Sequence, residues 1–200
     1  MPPAPVVDRS PGALFLAVEL GAGARARLAA SLRSLRHLDP ALAVVRPAGV
    51  HVTVHFLGSL SPAQAGRVVD AVAPVAAAWP AFCLGLGGLG AFPGWRGPRV
   101  LWLGCARGAE PLRDLAAAVT GVLVAAGFPA PAVPYRPHAT LARVRGPLTP
   151  AARRWLQRPP PGWPAPDPLP VAVGQLTLLQ SVAQATGPAR YRRLRRLPLR

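Results

Sequence analysis

The sequence predicts an α+β fold of two pseudo-symmetric lobes, each an antiparallel sheet with helices packed outside it, and a cleft between the two. Three observations lead there. Strand-like and helix-like segments alternate, but helices arrive only once per two or three strands, too seldom for a doubly wound parallel sheet. The tetrapeptide His51-Val-Thr53-Val recurs 87 residues later as His138-Ala-Thr140-Leu. A proline-containing loop, and before it a strand and a helix, precede each copy, so the chain reads as two β-rich halves related by an approximate two-fold axis.

The elements follow from periodicity and punctuation. Residues 13–20 (Ala-Leu-Phe-Leu-Ala-Val-Glu-Leu) read as a strand broken by Gly21 to Gly23. From Ala24 to Leu38 the leucines Leu28, Leu32 and Leu35 share one side of a helix and arginines the other. Pro40 and Pro47 bracket a short apolar piece, Leu42 to Val45, and Val50 to Leu57 is a β pattern ended by Gly58. Ser61-Pro62 supplies a cap and a first-turn proline for a helix that runs to about Ala78. Phe82 to Leu89 and Arg99 to Leu103 read as strands joined by the turn-rich Gly90 to Pro98. Glu110 to Ala126 is an amphipathic helix closed by Gly127, His138 to Val144 a strand, and Thr149-Pro150 another helix start. Val171 to Gln180 alternates as a strand, and Tyr191 to Leu197 reads as the last one. Residues 1–12 form an expected loose tail ahead of a single two-lobed domain, 13–200.

Composition bounds the function without naming it. The chain has 200 residues, no lysine, and 23 arginines against seven acids, for a formal charge of +16. Such a field attracts polyanions, and arginine forks onto phosphate better than lysine does. Isoleucine and asparagine are also absent, a bias of the kind a GC-rich genome leaves, so part of the arginine excess is compositional. No apolar run reaches the roughly 20 residues of a membrane-spanning helix, and the first residues lack the basic and apolar regions of a secretory signal. These features lead to the expectation of a cytoplasmic protein. Cys83 and Cys105 lie in apolar stretches without metal-binding spacing, and the expectation is two buried, reduced thiols.

The repeated motif carries the chemistry. Side chains two apart share a face of a strand, so His51 points with Thr53 and His138 with Thr140, while Val52, Val54, Ala139 and Leu141 face the core. Two imidazoles meeting in one cleft suit acid–base catalysis near neutrality, one neutral to accept a proton and one charged to give it. Threonine hydroxyls beside them suit the non-bridging oxygens of a phosphate. By the same parity His55 borders the cleft, whereas Phe56 faces the core. Rival chemistries fit less well. His51 and His55 have a helical zinc spacing in a β segment without the glutamate of His-Glu-x-x-His, no carboxylate cluster is at hand for two metals, and no Gly-x-Ser-x-Gly elbow is present.

Two stretches then resemble a known family. Val50-His51-Val-Thr53-Val-His55-Phe56-Leu57-Gly58 and Arg136-Pro137-His138-Ala-Thr140-Leu141-Ala-Arg143 are similar to the paired motifs of the RNA 2′,3′-cyclic phosphodiesterases, once called 2′-5′ RNA ligases, of the 2H phosphoesterase superfamily. Residues 14–20, residues 98–104, and Leu176 to Ser181 with Gly187 and Tyr191 are similar to the family's other strands, so the likeness spans roughly residues 13 to 197. The resemblance implies metal-free and cofactor-free hydrolysis of an RNA 2′,3′-cyclic phosphate to a 2′-phosphate by a monomer, with no obligate protein partner. It implies that His51 protonates the departing O3′, that His138 activates water, and that Arg143 contacts the phosphate. Arg143, five residues after His138, has the wrong parity, so a bulge or the strand end has to turn it inward. His55 stands where relatives often carry lysine or arginine, and it and Arg136 are possible substrate contacts. Relatives often have an aromatic residue shortly before the first motif, where this chain has Val45-Arg46. A sister enzyme acting on nucleotide cyclic phosphates or on 2′-5′ linkages, the reverse ligation, and a non-catalytic RNA-binding module remain alternatives.

Overall fold

In the computed structural model, which describes residues 12–164, 167–184 and 188–200, the strands and four α-helices that the sequence predicts occur in order, and the short apolar piece after Pro40 is a further strand, for nine in all. They are β1 (Leu14–Glu19), α1 (Ala22–Leu38), β2 (Leu42–Val44), β3 (His51–Gly58), α2 (Pro62–Ala78), β4 (Phe82–Phe92), β5 (Val100–Arg107), α3 (Ala109–Ala125), β6 (His138–Val144), α4 (Pro150–Gln157), β7 (Leu169–Val173), β8 (Gln175–Val182) and β9 (Arg190–Pro198), with a 3₁₀ turn at Pro47–Gly49. The stretch read as one strand from Val171 is two, parted at Gly174. The expected tail lies outside the described residues except for Gly12, whose amide donates to Ser181 O; Gly187 also lies outside them.

All nine strands join one curled antiparallel sheet in the order β7-β4-β5-β6-β3-β1-β8-β9, with β2 paired beside β3 on β6. The two lobes are thus two four-stranded halves of a single sheet. One is β6-β5-β4-β7 and the other β3-β1-β8-β9, and between them β3 and β6 share one ladder pair, Val52 with Ala139. The helices lie on one face. Leu14, Leu16 and Val18 of β1 and Leu101 and Leu103 of β5 pack there against Leu28, Leu32 and Leu35 of α1, Val68 and Val72 of α2, and Leu112, Leu115 and Val119 of α3. The opposite face is concave and carries its own small cluster, Phe15, Ala17 and Leu179 with Phe56 and Tyr191 at its edge.

The connectivity interleaves the halves. The helix α1, which follows β1 of one half, packs against β2 and β7, whereas α3, which follows β5 of the other, packs against β3. Gly174 alone links β7, at one edge of the sheet, to β8 near the other. Local signals set the helix ends as expected. Ser61 accepts from the Gln64 amide while the Gln64 side chain accepts from the Ser61 amide, a capping box with Pro62 in the first turn. Thr149 caps α4 through the Ala152 amide.

Asp39 ties α1 to α4. Only 3% exposed, its carboxylate accepts from the Ala41 amide and from both the amide and hydroxyl of Thr149. The bonds from the Thr149 and Ala41 amides hold its carboxyl below the usual range, outweighing desolvation. A depressed carboxyl stabilises the fold above the unfolded value of about 3.9 and loses that contribution as pH falls through the folded one. Asp39→Ala is expected to cost about 1–3 kcal/mol of stability, and its deficit relative to the unaltered chain should shrink below pH 4 in denaturation curves taken across pH.

Candidate active site

The seam between the halves brings the two motifs together. Antiparallel register about Val52–Ala139 sets His51 beside Thr140 and Thr53 beside His138. His51 and His138 are then diagonal neighbours across the seam, on the same face of the sheet. Val52 and Ala139 are fully buried beneath, and the four motif side chains are half-buried on the concave face.

The strands share a second feature that strict alternation along the sequence captures only in part. In β3 the register to β1 skips Val54, so that Leu16 pairs with His55 and Ala17 with Thr53. In β6 the register to β5 skips Leu141, so that Leu101 pairs with Ala142 and Trp102 with Thr140. Each bulge sits three residues after its histidine and inserts one extra residue, which reverses the side-chain parity beyond it. The burial pattern is accordingly the same in both strands, with positions one, three and six on the concave face and positions two, four and five buried.

Two expectations change as a result. His55 does not border the cleft. It is 3% exposed, points to the helix face, and pairs its Nδ1 with Thr120 Oγ1 of α3 at 3.1 Å; burial lowers its pKa and keeps it neutral. It and His51 therefore face opposite ways and do not form a zinc pair. Phe56 is not a core residue but lies on the concave face, stacked on Phe15 at 6.4 Å. The same device brings Arg143 onto the side of His138 and Thr140, where it lines a small pocket of about 30 Å³ with Val45, Arg145 and, from the other half, Tyr191. Among the described residues, no three His, Cys, Asp or Glu side chains converge. Cys105 is half-buried, its thiol pushed by burial up to about 11, but Cys83, expected buried, is exposed. It alternates with buried Leu84 on β4 and so falls on the other face.

Each histidine is held in the same way. Nδ1 of His51 meets the carbonyl of Gly49 at 2.8 Å and Nδ1 of His138 that of Arg136 at 2.7 Å, in both cases two residues upstream. A carbonyl only accepts, so Nδ1 carries the hydrogen and Nε2 is the nitrogen that exchanges protons. Aromatic rings fix the ring planes. Phe15 stacks on His51 at 4.9 Å and Tyr191 meets it edge-on at 4.8 Å. Phe92 meets His138 edge-on at 5.0 Å, with Trp102 at 6.1 Å. In place of an aromatic residue just before the first motif, Phe15 and Tyr191 flank His51 from β1 and β9, too far away in sequence for local pattern to find.

Around His138 the field is positive. Arg136 is exposed and lies over the Trp102 ring at 4.6 Å and the Phe92 ring at 5.4 Å, a cation–π arrangement that sets its charge next to His138. Desolvation, aided by the charges of Arg136 and Arg143, lowers the His138 pKa; the bond to the Arg136 carbonyl opposes this without cancelling it. Trp102 needs a glycine at position 90, where a Cβ would stand 2.2 Å from its ring, and packs closely on Gly104, where a Cβ would stand at 3.3 Å.

The chain and its frame resemble known proteins. Residues 23–185 match the model of the 2′-5′ RNA ligase superfamily. The protein belongs to this superfamily. It is 34% identical over 120 residues to an RNA 2′,3′-cyclic phosphodiesterase of Aeropyrum pernix, covering 60% of this chain and 67% of that one. It is 32% identical over 133 residues to one of Methanothermobacter thermautotrophicus, covering 66% and 71%. In structure it resembles E. coli LigT complexed with 3′-AMP, with a TM-score of 0.73 at 29% identity over 95% of this chain and 99% of that one. A protein of Thermus thermophilus gives 0.75 at 25% identity over 94% and 97%.

His55 separates packing from chemistry. His55→Ala is expected to lower the melting temperature, by a loss of about 1–3 kcal/mol for a buried hydrogen-bonded group, while kcat/KM of the folded fraction stays within a few-fold of the unaltered protein. A loss in kcat/KM of several orders of magnitude would place His55 in the machinery after all.

Proposed function

We propose that this superfamily member hydrolyses the 2′,3′-cyclic phosphate at an RNA 3′ end to a 2′-phosphate, by proton transfer between His51 and His138 and without a metal ion. The observation that carries the reading is the pair of imidazoles on one concave seam, each tied at Nδ1 to a carbonyl so that Nε2 is the proton-exchanging nitrogen. The curated relatives are named for that activity, and the LigT neighbour was solved with a nucleotide monophosphate.

With the cyclic phosphate in the seam, a water attacks phosphorus and its proton passes to Nε2 of His138. The bond from phosphorus to O3′ breaks as Nε2–H of His51 gives its proton to O3′, and the phosphate remains on O2′. On this reading His138 serves as the base, because burial and two guanidinium charges keep its ring neutral, and so able to accept a proton, to lower pH than an ordinary histidine. The hydroxyls of Thr53 and Thr140 and the guanidinium of Arg143 hold the non-bridging oxygens, where negative charge builds in the transition state. Each proton-transfer term is typically worth ~10²–10⁴ in rate. Arg136, on its aromatic platform beside His138, faces the substrate side and tunes the base.

The decisive experiment is incubation with an RNA ending in a 2′,3′-cyclic phosphate, in excess chelator, with assignment of the product isomer. A 2′-phosphate product, and turnover reduced by several orders of magnitude in His51→Ala and in His138→Ala with folding intact, are the expected results. A 3′-phosphate product, or activity abolished by the chelator, would overturn the mechanism.

The pH profile of kcat/KM, which reports the free enzyme, gives a further expectation. The base must be neutral, and the folded protein lowers the His138 pKa, so the acid limb should fall below the ordinary histidine value of about 6.5. Replacing Arg136 by Gln removes one of the lowering charges and keeps the carbonyl. The acid limb should then move to higher pH.

A further inference from the structure

The concave face continues past His51 into a second positive site. Glu19 stands directly across the β1–β3 ladder from His51, and its two carboxylate oxygens both accept from Nε of Arg193 at 2.9 Å. Beyond Glu19 the face opens into a cavity of about 380 Å³ whose charged and polar lining is Glu19, Arg25, Gln175, Arg193 and Arg196. That is within the usual range of ligand pockets.

Strand register explains the convergence. Along β8 and β9, Leu179 pairs with Arg193 and Thr177 with Arg196, with a register shift between Leu178 and Leu179. Leu179 belongs to the concave-face cluster and Thr177 pairs with Ala17 of that cluster, so both arginines stand on the concave side, in line with Tyr191 beside His51. Arg25 reaches the same cavity from the first turn of α1. Three guanidinium groups against one carboxylate leave a surplus of two positive charges. Burial alone would raise the Glu19 carboxyl, yet Arg193 and Arg196 hold it below its ordinary value, so it stays charged and committed to Arg193. The charge without a carboxylate in the cavity lies on Arg25 and Arg196.

We propose that this cavity binds a backbone phosphodiester of the RNA strand upstream of the reacting end. The inference rests on the activity proposed above. An RNA whose terminal phosphate sits between the histidines continues as a chain of phosphodiesters, and the cavity is a cationic surface that adjoins His51 through Glu19. Guanidinium groups fork onto phosphate oxygens, and strand phosphates bound this way position the polymer without reading its bases. The enzyme is therefore selective for polynucleotide ends over mononucleotides.

The test compares kcat/KM for a short RNA ending in a 2′,3′-cyclic phosphate with that for the matching nucleoside 2′,3′-cyclic phosphate, at two salt concentrations. The proteins are the unaltered chain, the Arg25→Gln/Arg196→Gln double variant and its Lys counterpart, each checked by thermal melting. The unaltered protein should prefer the RNA. The preference should fall roughly tenfold for each arginine removed and return in part with lysine, and the salt slope for RNA should flatten by about 0.7 for each phosphate no longer neutralised. Turnover of both substrates without a length preference, or an equal loss on both in the variant, overturns this site alone. So does competition at the cavity by added inorganic phosphate without length preference, which would mark a free-phosphate site. Turnover of neither substrate by the unaltered chain overturns the activity and this inference with it.

Discussion

Between β3 and β6 the sheet is held by a single ladder pair, Val52 with Ala139, and the arrangement of the candidate site hangs on it. Both residues are small or β-branched and fully buried, so the seam is pinned from the helix side while the concave side is left open. A one-residue slip would send the histidine of one strand into the core and bring its hydrophobic neighbour out. The buried valines, leucines and alanines that alternate with the motif residues are what exclude that slip.

Symmetry and its breaking divide the work at this seam. The backbone treats the two histidines alike, through the same upstream carbonyl bond and the same bulge. The surroundings do not. His51 lies among Phe15, Tyr191 and, across the ladder, Glu19, while His138 has Phe92, Trp102 and the charges of Arg136 and Arg143. The repeat gives two histidines held alike by the backbone, and their different neighbours distinguish them. Motif spacing alone, being symmetric, assigns no roles.

Much of this was legible in the residues. Leucine periodicity in α1, the capping box of α2 and the twin His-x-Thr strands led to the right elements, because each is a local rule that the core then enforces. What was illegible was bulged geometry with no glycine at the bulge itself to mark it. Strict alternation put His55 in the cleft and Phe56 in the core, and the structure reverses both. The one available signal was in the second motif, where Leu141-Ala142 gives two consecutive apolar residues before Arg143, as a bulge requires. In the first motif the matching pair is Val54-His55, and the polar ring hid the pattern. The hydroxyl that meets His55 and the aromatic rings around His51 come from α3, β1 and β9, which no window around the motif contains.

The interleaving of the halves also bears on how the chain acquires its shape. Because α1 covers β7, α3 covers β3, and the C-terminal strands β8 and β9 complete the half that β1 begins, neither half is a contiguous stretch that closes its own core. The loop-closure entropy of these distant pairings has to be met before burial repays it. Orienting both imidazoles therefore requires segments from both ends of the chain. A nascent chain still lacking its last thirty or so residues, at a typical synthesis rate of about 5–20 residues per second, would hold the motifs but not the frame that aims them.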